Sequence, residues 1–343
     1  MLDFILKKKS QKAVIIGATS GDTGSAAING CYQCDLAKIF ILHPKGLISE
    51  IQRRQMTSFN SPNVYNLALN GNYDQCQEIV KLMLNDNDFL PDQRLLLPVN
   101  SINWLRIIGQ IIYYFYLSLR MGAPSIKVKY VVPTGNFGDI FAGFIAYKMG
   151  LPIGKLIIAT NQNDILDRFI KNNAYQRATL QKTLSPSMDI QVSSNFERLL
   201  FEYHGRNGQI IADKMAQFKA TGSLSVATNI LSQIKQIFLS ASANDQQIIS
   251  EMQNIYQQSN YLIDPHTATA THAYQQVKAQ LTGPTIALAT AHPAKFPEAL
   301  AAAKLTLPAM PDKLAQLEQL PEFYDSLPAE LVAVKNYISQ KLS

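Results

Sequence analysis

Cysteine is scarce: three residues, Cys31, Cys34 and Cys76, in a chain of 343. An odd, sparse count does not build a disulfide framework and points to a reducing compartment, the cytoplasm. Cys31-Tyr32-Gln33-Cys34 has the C-x-x-C spacing. Three thiols cannot complete a Cys₄ zinc site and no Cys/His cluster lies nearby, so no metal site is expected. Charge is sparse as well, at 16% of residues, with a formal net charge of +6. The basic residues are scattered, and Lys7-Lys8-Lys9 is the only run. Without a Lys/Arg stripe and interleaved aromatics, no nucleic-acid partner is expected. The mild excess suits either an anionic small ligand or a solvated surface. Long apolar runs are missing too. The longest, Ile107 to Leu119, is interrupted by Gln110 and flanked by Arg106 and Arg120. It is too short for a bilayer and reads as a buried helix. Met1 to Leu6 is too short for a signal segment, and its lysines follow rather than precede it. No membrane association is expected.

What the chain does have is apolar content, 47% of it, enough for a large core in one or two domains. Short apolar runs predict strands over 13–16, 38–42, 64–69, 95–97, 128–132 and 155–159, with later ones at 261–263 and 285–289. Helical patterns lie between them: from Asp22, over 48–58, 73–85 and 103–120, and up to Met149. The stretch 180–258 reads as helix and loop. Strands apolar on both faces, alternating with helices, imply parallel sheets covered on both sides, in a doubly wound α/β fold. Asp264-Pro265 is a helix start, with Asp as cap and Pro in the first turn.

Three loops leave strands carrying candidate chemistry. Gly17-Ala18-Thr19-Ser20-Gly21-Asp22-Thr23-Gly24-Ser25 runs from strand into helix. Its glycines and hydroxyls fit an anion pocket at a helix start, and they fit a tight βα turn equally. It has neither the Walker nor the Rossmann form. Pro133-Thr134-Gly135-Asn136-Phe137-Gly138-Asp139 repeats the arrangement, with a hydroxyl and two glycines before a helix, and suits a phosphate. Thr290, in Leu288-Ala289-Thr290-Ala291-His292-Pro293, could offer a hydroxyl after the last strand, or be a loop residue.

In order along the chain, these segments resemble the threonine synthase family. Besides 17–27, the matching motifs are His43-Pro44-Lys45-Gly46 with Gln52-Arg53-Arg54-Gln55-Met56, Asn100-Ser101-Ile102-Asn103-Trp104, and Thr134 to Asp139. Ser185-Pro186-Ser187-Met188-Asp189-Ile190, Asp264-Pro265-His266-Thr267 and Thr290-Ala291-His292-Pro293 complete the set. The resemblance covers essentially the whole chain and is weakest over about 205–260 and beyond 305. It implies the pyridoxal 5′-phosphate (PLP) fold type II of the tryptophan synthase β-subunit. The cofactor would lie between a small domain, whose remainder would be residues 1–100, and a large domain, 101–343. The implied reaction turns O-phospho-L-homoserine and water into L-threonine and phosphate, the last step of threonine biosynthesis.

Carried over by resemblance, Gly135, Asn136, Phe137 and Gly138 hold the cofactor's phosphate. Thr290 faces its pyridine nitrogen and Asp22 lies near its ring oxygen. Thr19, Ser20 and Thr23 take the substrate's carboxylate. Lys45, Ser49, Arg53 and Arg106 are candidates for its phosphate, each with an alternative reading as a solvated charge or surface residue. His266 either approaches the cofactor or serves a helix-start hydrogen bond.

One departure stands out. The family's Schiff-base lysine lies in a Phe-Lys-Asp stretch, and no Phe-Lys-Asp occurs in these 343 residues. The resemblance places that stretch before the segment matching Met1, so the small domain is expected to be incomplete and the catalytic lysine absent. Lys7, Lys8 and Lys9 are poor substitutes, because a nucleophilic amine must be desolvated. Little or no turnover is expected from this polypeptide alone. The alternatives are a catalytically incomplete PLP- or phosphate-binding fragment, and a phospho-lyase acting on another phosphorylated amine. Expected partners are the small-molecule substrate and either further copies of the chain or a complementing N-terminal fragment.

Overall fold

The apolar run after Lys12 forms an interior strand of a sheet because both of its faces can be covered. In the computed structural model it is β1 (Ala13–Ala18), buried along its whole length. The structure describes every residue except Met1, Ser20, Ser49, Asn87, Ser101 and Ser343, and every side chain but those of Asp74 and Glu318 as well. Before β1 comes α1 (Leu2–Lys9). After it follow α2 (Asp22–Cys31), β2 (Ala37–Pro44), α3 (Glu50–Thr57), β3 (Val64–Asn70), α4 (Tyr73–Asn85) and β4 (Leu95–Pro98). β1 pairs in parallel with β2 and β4, and β2 with β3. Successive side chains of a strand point to opposite faces. Val14 and Ile16 therefore pack with Phe40, Leu42 and the α4 residues Ile79 and Met83. Ala13 and Ile15 pack with Ile39, Ile41, Ile28 of α2 and Met56 of α3. α4 starts on a capping box, in which Asn72 accepts from the Gln75 N–H and the Gln75 side chain accepts from the Asn72 N–H.

A second compact unit covers residues 101–309. It opens with α5 (Trp104–Arg120), capped by Asn103, whose side chain accepts from the Leu105 N–H at 2.9 Å. β5 (Val128–Pro133), α6 (Gly138–Lys148), β6 (Ile153–Thr160), α7 (Ile165–Asn172) and a two-residue strand β7 (Tyr175–Gln176) follow. Next come α8 (Phe196–Tyr203), α9 (Gly208–Thr221), β8 (Ser223–Leu224), α10 (Thr228–Ile237), β9 (Phe238–Ser242), α11 (Asp245–Ser259) and α12 (Pro265–Val277). β10 (Thr285–Ala287) and α13 (Pro297–Ala302) close the unit. Its main sheet has the order β10-β5-β6-β9, all parallel. Tyr130 and Val132 face Tyr114, Phe141 and Phe144. Val131, Ile157 and Ala241 face Ala270 and Ala273 of α12.

The chain then returns to the first unit. Residues 310–343 carry α14 (Asp312–Ala315), β11 (Asp325–Pro328) and α15 (Leu331–Leu342). β11 extends the first sheet beside β3, giving the parallel order β11-β3-β2-β1-β4. Val334 and Ile338 of α15 join the cluster around Val14 and Phe40. The second unit therefore ends at 309 and does not run to residue 343 as the sequence reading placed it.

β7, β8 and β11 fall where no strand was expected, and two further segments of the second unit also differ from expectation. The fourth strand of the second sheet is Phe238–Ser242, inside the stretch read as helix and loop. Tyr261-Leu262-Ile263 pairs with nothing in either sheet and leads directly into the cap of α12. Among the described residues no helix is long and apolar enough to cross a membrane. No group of three or more His, Cys, Asp or Glu that could hold a metal ion occurs among them.

Candidate active site

In the first unit, the loop between β1 and α2 is folded around one hydroxyl. Thr19, 3% exposed, accepts hydrogen bonds at Oγ1 from the N–H of Gly21 (3.0 Å) and of Gly24 (3.2 Å). Its oxygen is committed to the turn, leaving one proton to donate. Gly21 has φ +153°, and a Cβ there would lie 2.5 Å from Gln52 Cδ. Close side-chain packing is therefore sufficient reason for that glycine. Asp22 is exposed and Thr23 half-buried at the start of α2.

The two arginines of α3 meet a carboxylate. Arg53 grips Glu322 with two parallel bonds, Nε to Oε2 at 2.8 Å and Nη2 to Oε1 at 3.0 Å. Thr57 donates its hydroxyl to Glu322 Oε2 at 2.7 Å, and Arg54 Nη2 stands 3.9 Å from Oε1. Arg53 beside it holds the Glu322 carboxyl below its usual range. Lys45 is exposed just past β2, with its backbone N–H bonded to Leu69 O at 2.9 Å.

In the second unit, β5 and β10 are neighbouring parallel strands, so the loops after them leave the same carboxyl edge. Ligands in open α/β sheets bind at that edge. After β5, the Gly135 carbonyl accepts from Ser193 Oγ at 2.8 Å, and the Asn136 carbonyl from Asn195 N (3.1 Å) and Nδ2 (2.9 Å). In a trans peptide the carbonyl and the following N–H point in opposite directions. The Asn136 and Phe137 N–H groups therefore turn away from the 193–195 segment. Phe137 caps α6 with φ 62° and ψ 7°, a left-handed conformation unusual for a bulky residue. Its ring packs against Phe196 at 5.7 Å and Phe238 at 5.9 Å, which anchors the turn. A left-handed turn followed by right-handed residues gathers successive N–H groups into an anion nest, and the first turn of α6 adds further donors. A Cβ on Gly135 would lie 2.7 Å from Ser187 O, so only glycine fits beneath the 185–189 loop. The donor set fits a phosphate group.

A carboxylate also sits in the first turn of α6, where it could repel an anion. Asp139 is occupied on the α5 side: Oδ1 accepts from Tyr113 at 2.5 Å and Tyr114 at 2.8 Å. Burial pushes the Asp139 pKa up and the phenols' pKa values higher still. Thr134 Oγ1 donates to Val132 O at 2.6 Å, so that hydroxyl is structural. After β10, Thr290 is exposed and His292 caps the next turn, accepting from the Ala294 N–H at 3.2 Å.

Residues 1–233 match the pyridoxal-phosphate dependent enzyme family, and residues 267–338 match the threonine synthase C-terminal family. The chain is 50% identical to threonine synthase of Pseudomonas aeruginosa over 99% of its own length and 72% of that relative. It is 41% identical to the Saccharomyces cerevisiae enzyme, over 98% of this chain and 70% of the relative. The chain belongs to the threonine synthase family. A crystal structure of PLP-bound threonine synthase from Brucella melitensis superposes with a TM-score of 0.94 at 45% identity, covering 99% of this chain and 73% of that one. The fold is thus PLP-dependent fold type II, and PLP is the family's cofactor.

Against the threonine synthase motifs, the second unit brings Gly135, Asn136, Phe137, Gly138 and Thr290 to one sheet edge. The first unit holds Asp22, Thr19, Thr23, Lys45 and Arg53 on the loops and helix that follow β1 and β2. Ser20 and Ser49 lie outside the described residues. Arg106 is exposed in the first turn of α5. His266 serves the start of α12: it is 3% exposed, with Nδ1 2.9 Å from Asp264 Oδ1 and Nε2 accepting from the Ser187 N–H at 3.2 Å. Sequence reasoning missed a buried network around Asp189. Oδ1 accepts from Asn161 Nδ2 (2.8 Å), Asn163 Nδ2 (3.0 Å) and Thr183 Oγ1 (2.6 Å), and Oδ2 from the Thr183 N–H (2.9 Å). The Asp in Ser-Pro-Ser-Met-Asp was the available signal.

Proposed function

We propose that the chain carries threonine synthase chemistry, converting O-phospho-L-homoserine and water to L-threonine and phosphate. The observation that carries the proposal is the glycine-floored nest at the start of α6, with Thr290 on the adjoining strand end. Gly135 to Gly138 bind the cofactor's phosphate through backbone N–H groups. Thr290 faces the pyridine nitrogen. A hydroxyl does not hold that nitrogen protonated as a carboxylate would, which favours elimination over full delocalisation into the ring. Bound there, PLP supplies the electron withdrawal that lets phosphate leave the γ-carbon and water add at the β-carbon. Thr19 donates its remaining proton to the substrate carboxylate, with Ser20 and Thr23 assigned to the same group and Asp22 to the cofactor's ring oxygen. Lys45, Ser49, Arg53 and Arg106 are assigned to the substrate phosphate. Arg53 can serve there only by leaving Glu322, since its fork is filled. Free thiols at Cys31, Cys34 and Cys76 support the cytoplasm as the compartment.

By the resemblance, the family's cofactor-carrying lysine lies in a Phe-Lys-Asp, and no Phe-Lys-Asp occurs in these 343 residues. The test therefore incubates the chain, PLP and O-phospho-L-homoserine with and without a family N-terminal segment bearing that lysine. Threonine and phosphate should appear in equal amounts only when the segment is present. Phosphate released with a keto acid in place of threonine would indicate a phospho-lyase. No product under either condition would reject the proposal.

A further inference from the structure

The carbonyl of Ser187 closes over Gly135, and something must hold it there. Two anchors fix the 183–189 loop. Asp189 ties one end to Asn161, Asn163 and Thr183. At the tip, the Ser187 N–H is held by His266 Nε2 at 3.2 Å. Asp264, 1% exposed, caps α12 by accepting from the His266 N–H at 2.9 Å and the Thr267 N–H at 3.4 Å. It also accepts from the Thr267 hydroxyl. The same carboxylate faces His266 Nδ1 at 2.9 Å. A carboxylate accepts and a backbone N–H donates, so the two partners fix the tautomer: Nδ1 carries the proton and Nε2 is bare. Phe296 packs on the imidazole at 4.8 Å between ring centroids.

We propose that Asp264 and His266 are a positioning pair for the cofactor-phosphate cradle. Asp264 sets the imidazole tautomer, and the bare Nε2 holds the Ser187 N–H. That contact fixes the height of the Ser187 carbonyl over Gly135 and so the shape of the 135–138 nest. The pair touches neither substrate nor cofactor in this scheme. The inference rests on the reading of 135–138 as the PLP phosphate site.

The test measures binding of pyridoxine 5′-phosphate and of pyridoxine, neither of which has an aldehyde to label surface lysines, by equilibrium dialysis. His266→Leu removes the acceptor. His266→Gln keeps one near the Nε2 position. His266→Leu should weaken pyridoxine 5′-phosphate about tenfold, equivalent to about 1.4 kcal/mol, and leave pyridoxine within about twofold. His266→Gln should recover most of that loss. Equal loss for both ligands, or no loss for either, would overturn the positioning role. If the unsubstituted chain fails to bind pyridoxine 5′-phosphate, the cofactor-site reading falls and this inference with it. Should His266→Leu not fold, ¹⁵N spectra of the unsubstituted protein decide: a bare Nε2 on His266 supports the pair, and an Nε2–H tautomer refutes it.

Discussion

Glu322 returns from the C-terminal segment to fill the fork of Arg53, and the strength of that clasp can be worked out. The side chains of Arg53 and Glu322 are 27% and 17% exposed. Fully exposed pairs contribute about 0–1 kcal/mol, whereas truncating one partner of a buried pair costs about 3–5 kcal/mol. A bidentate pair of intermediate burial should couple by about 1–2 kcal/mol. Glu322→Ala also strips an acceptor from Thr57, so its total cost should reach about 2–3 kcal/mol. The assay is a double-mutant cycle of Arg53→Ala and Glu322→Ala. The single tryptophan, Trp104, belongs to the second unit, so its fluorescence does not report on this clasp. Amide exchange of peptides covering 50–57 and 316–328 does. The pH dependence follows from Arg53 holding the Glu322 pKa down. Folded Glu322 thus titrates below its unfolded value of about 4.3. The coupling is fully present above that value and is lost as pH falls through the folded pKa. A coupling under about 0.3 kcal/mol at neutral pH and low salt would refute the reasoning.

Two further predictions concern the interior. Asp189→Ala strands the buried amides of Asn161 and Asn163 and should destabilise the second unit by about 3–5 kcal/mol, read by Trp104 fluorescence on thermal unfolding. A loss below about 1 kcal/mol would show that the loop stands without it. His43 is 1% exposed, and burial depresses its pKa. The unfolded chain takes up a proton below about pH 6.5 that the folded one refuses. First-unit stability should therefore be full above that pH and fall as pH drops below it. His43→Phe should flatten the dependence between about pH 5 and 7, and an unchanged slope in the exchange data would exclude His43 as its source.

How much of this was legible in the sequence depends on how local each cause is. β1, β2 and β5 could be read because strands covered on both faces are continuous apolar runs. Phe238–Ser242 could not: it carries two serines, and burial of Ser240 is set by its neighbour β6 and by the core face it shares with Phe238, not by its own composition. Tyr261-Leu262-Ile263 shows the opposite error, since three apolar residues do not separate a strand from the lead-in to a helix. The glycine loops were legible as strand-to-helix junctions. The cap at Asp264 was legible because it acts within three residues. What Arg53 and His266 reach for was not, because Glu322 and Ser187 are brought to them only by the tertiary fold.

The return of β11 to β3 has a consequence for how the protein is made. The first unit is encoded in two pieces, with the entire second unit between them. On the ribosome, β1 to β4 emerge early, yet the outer face of β3 finds its neighbour only when Asp325 to Pro328 appear. Until then β3 is an open edge, able to pair with another nascent chain. The second unit is continuous and has no such wait. It can complete its sheet during synthesis, while the first unit is obliged to finish afterwards. The interval between those two events is the period in which the chain most needs a chaperone.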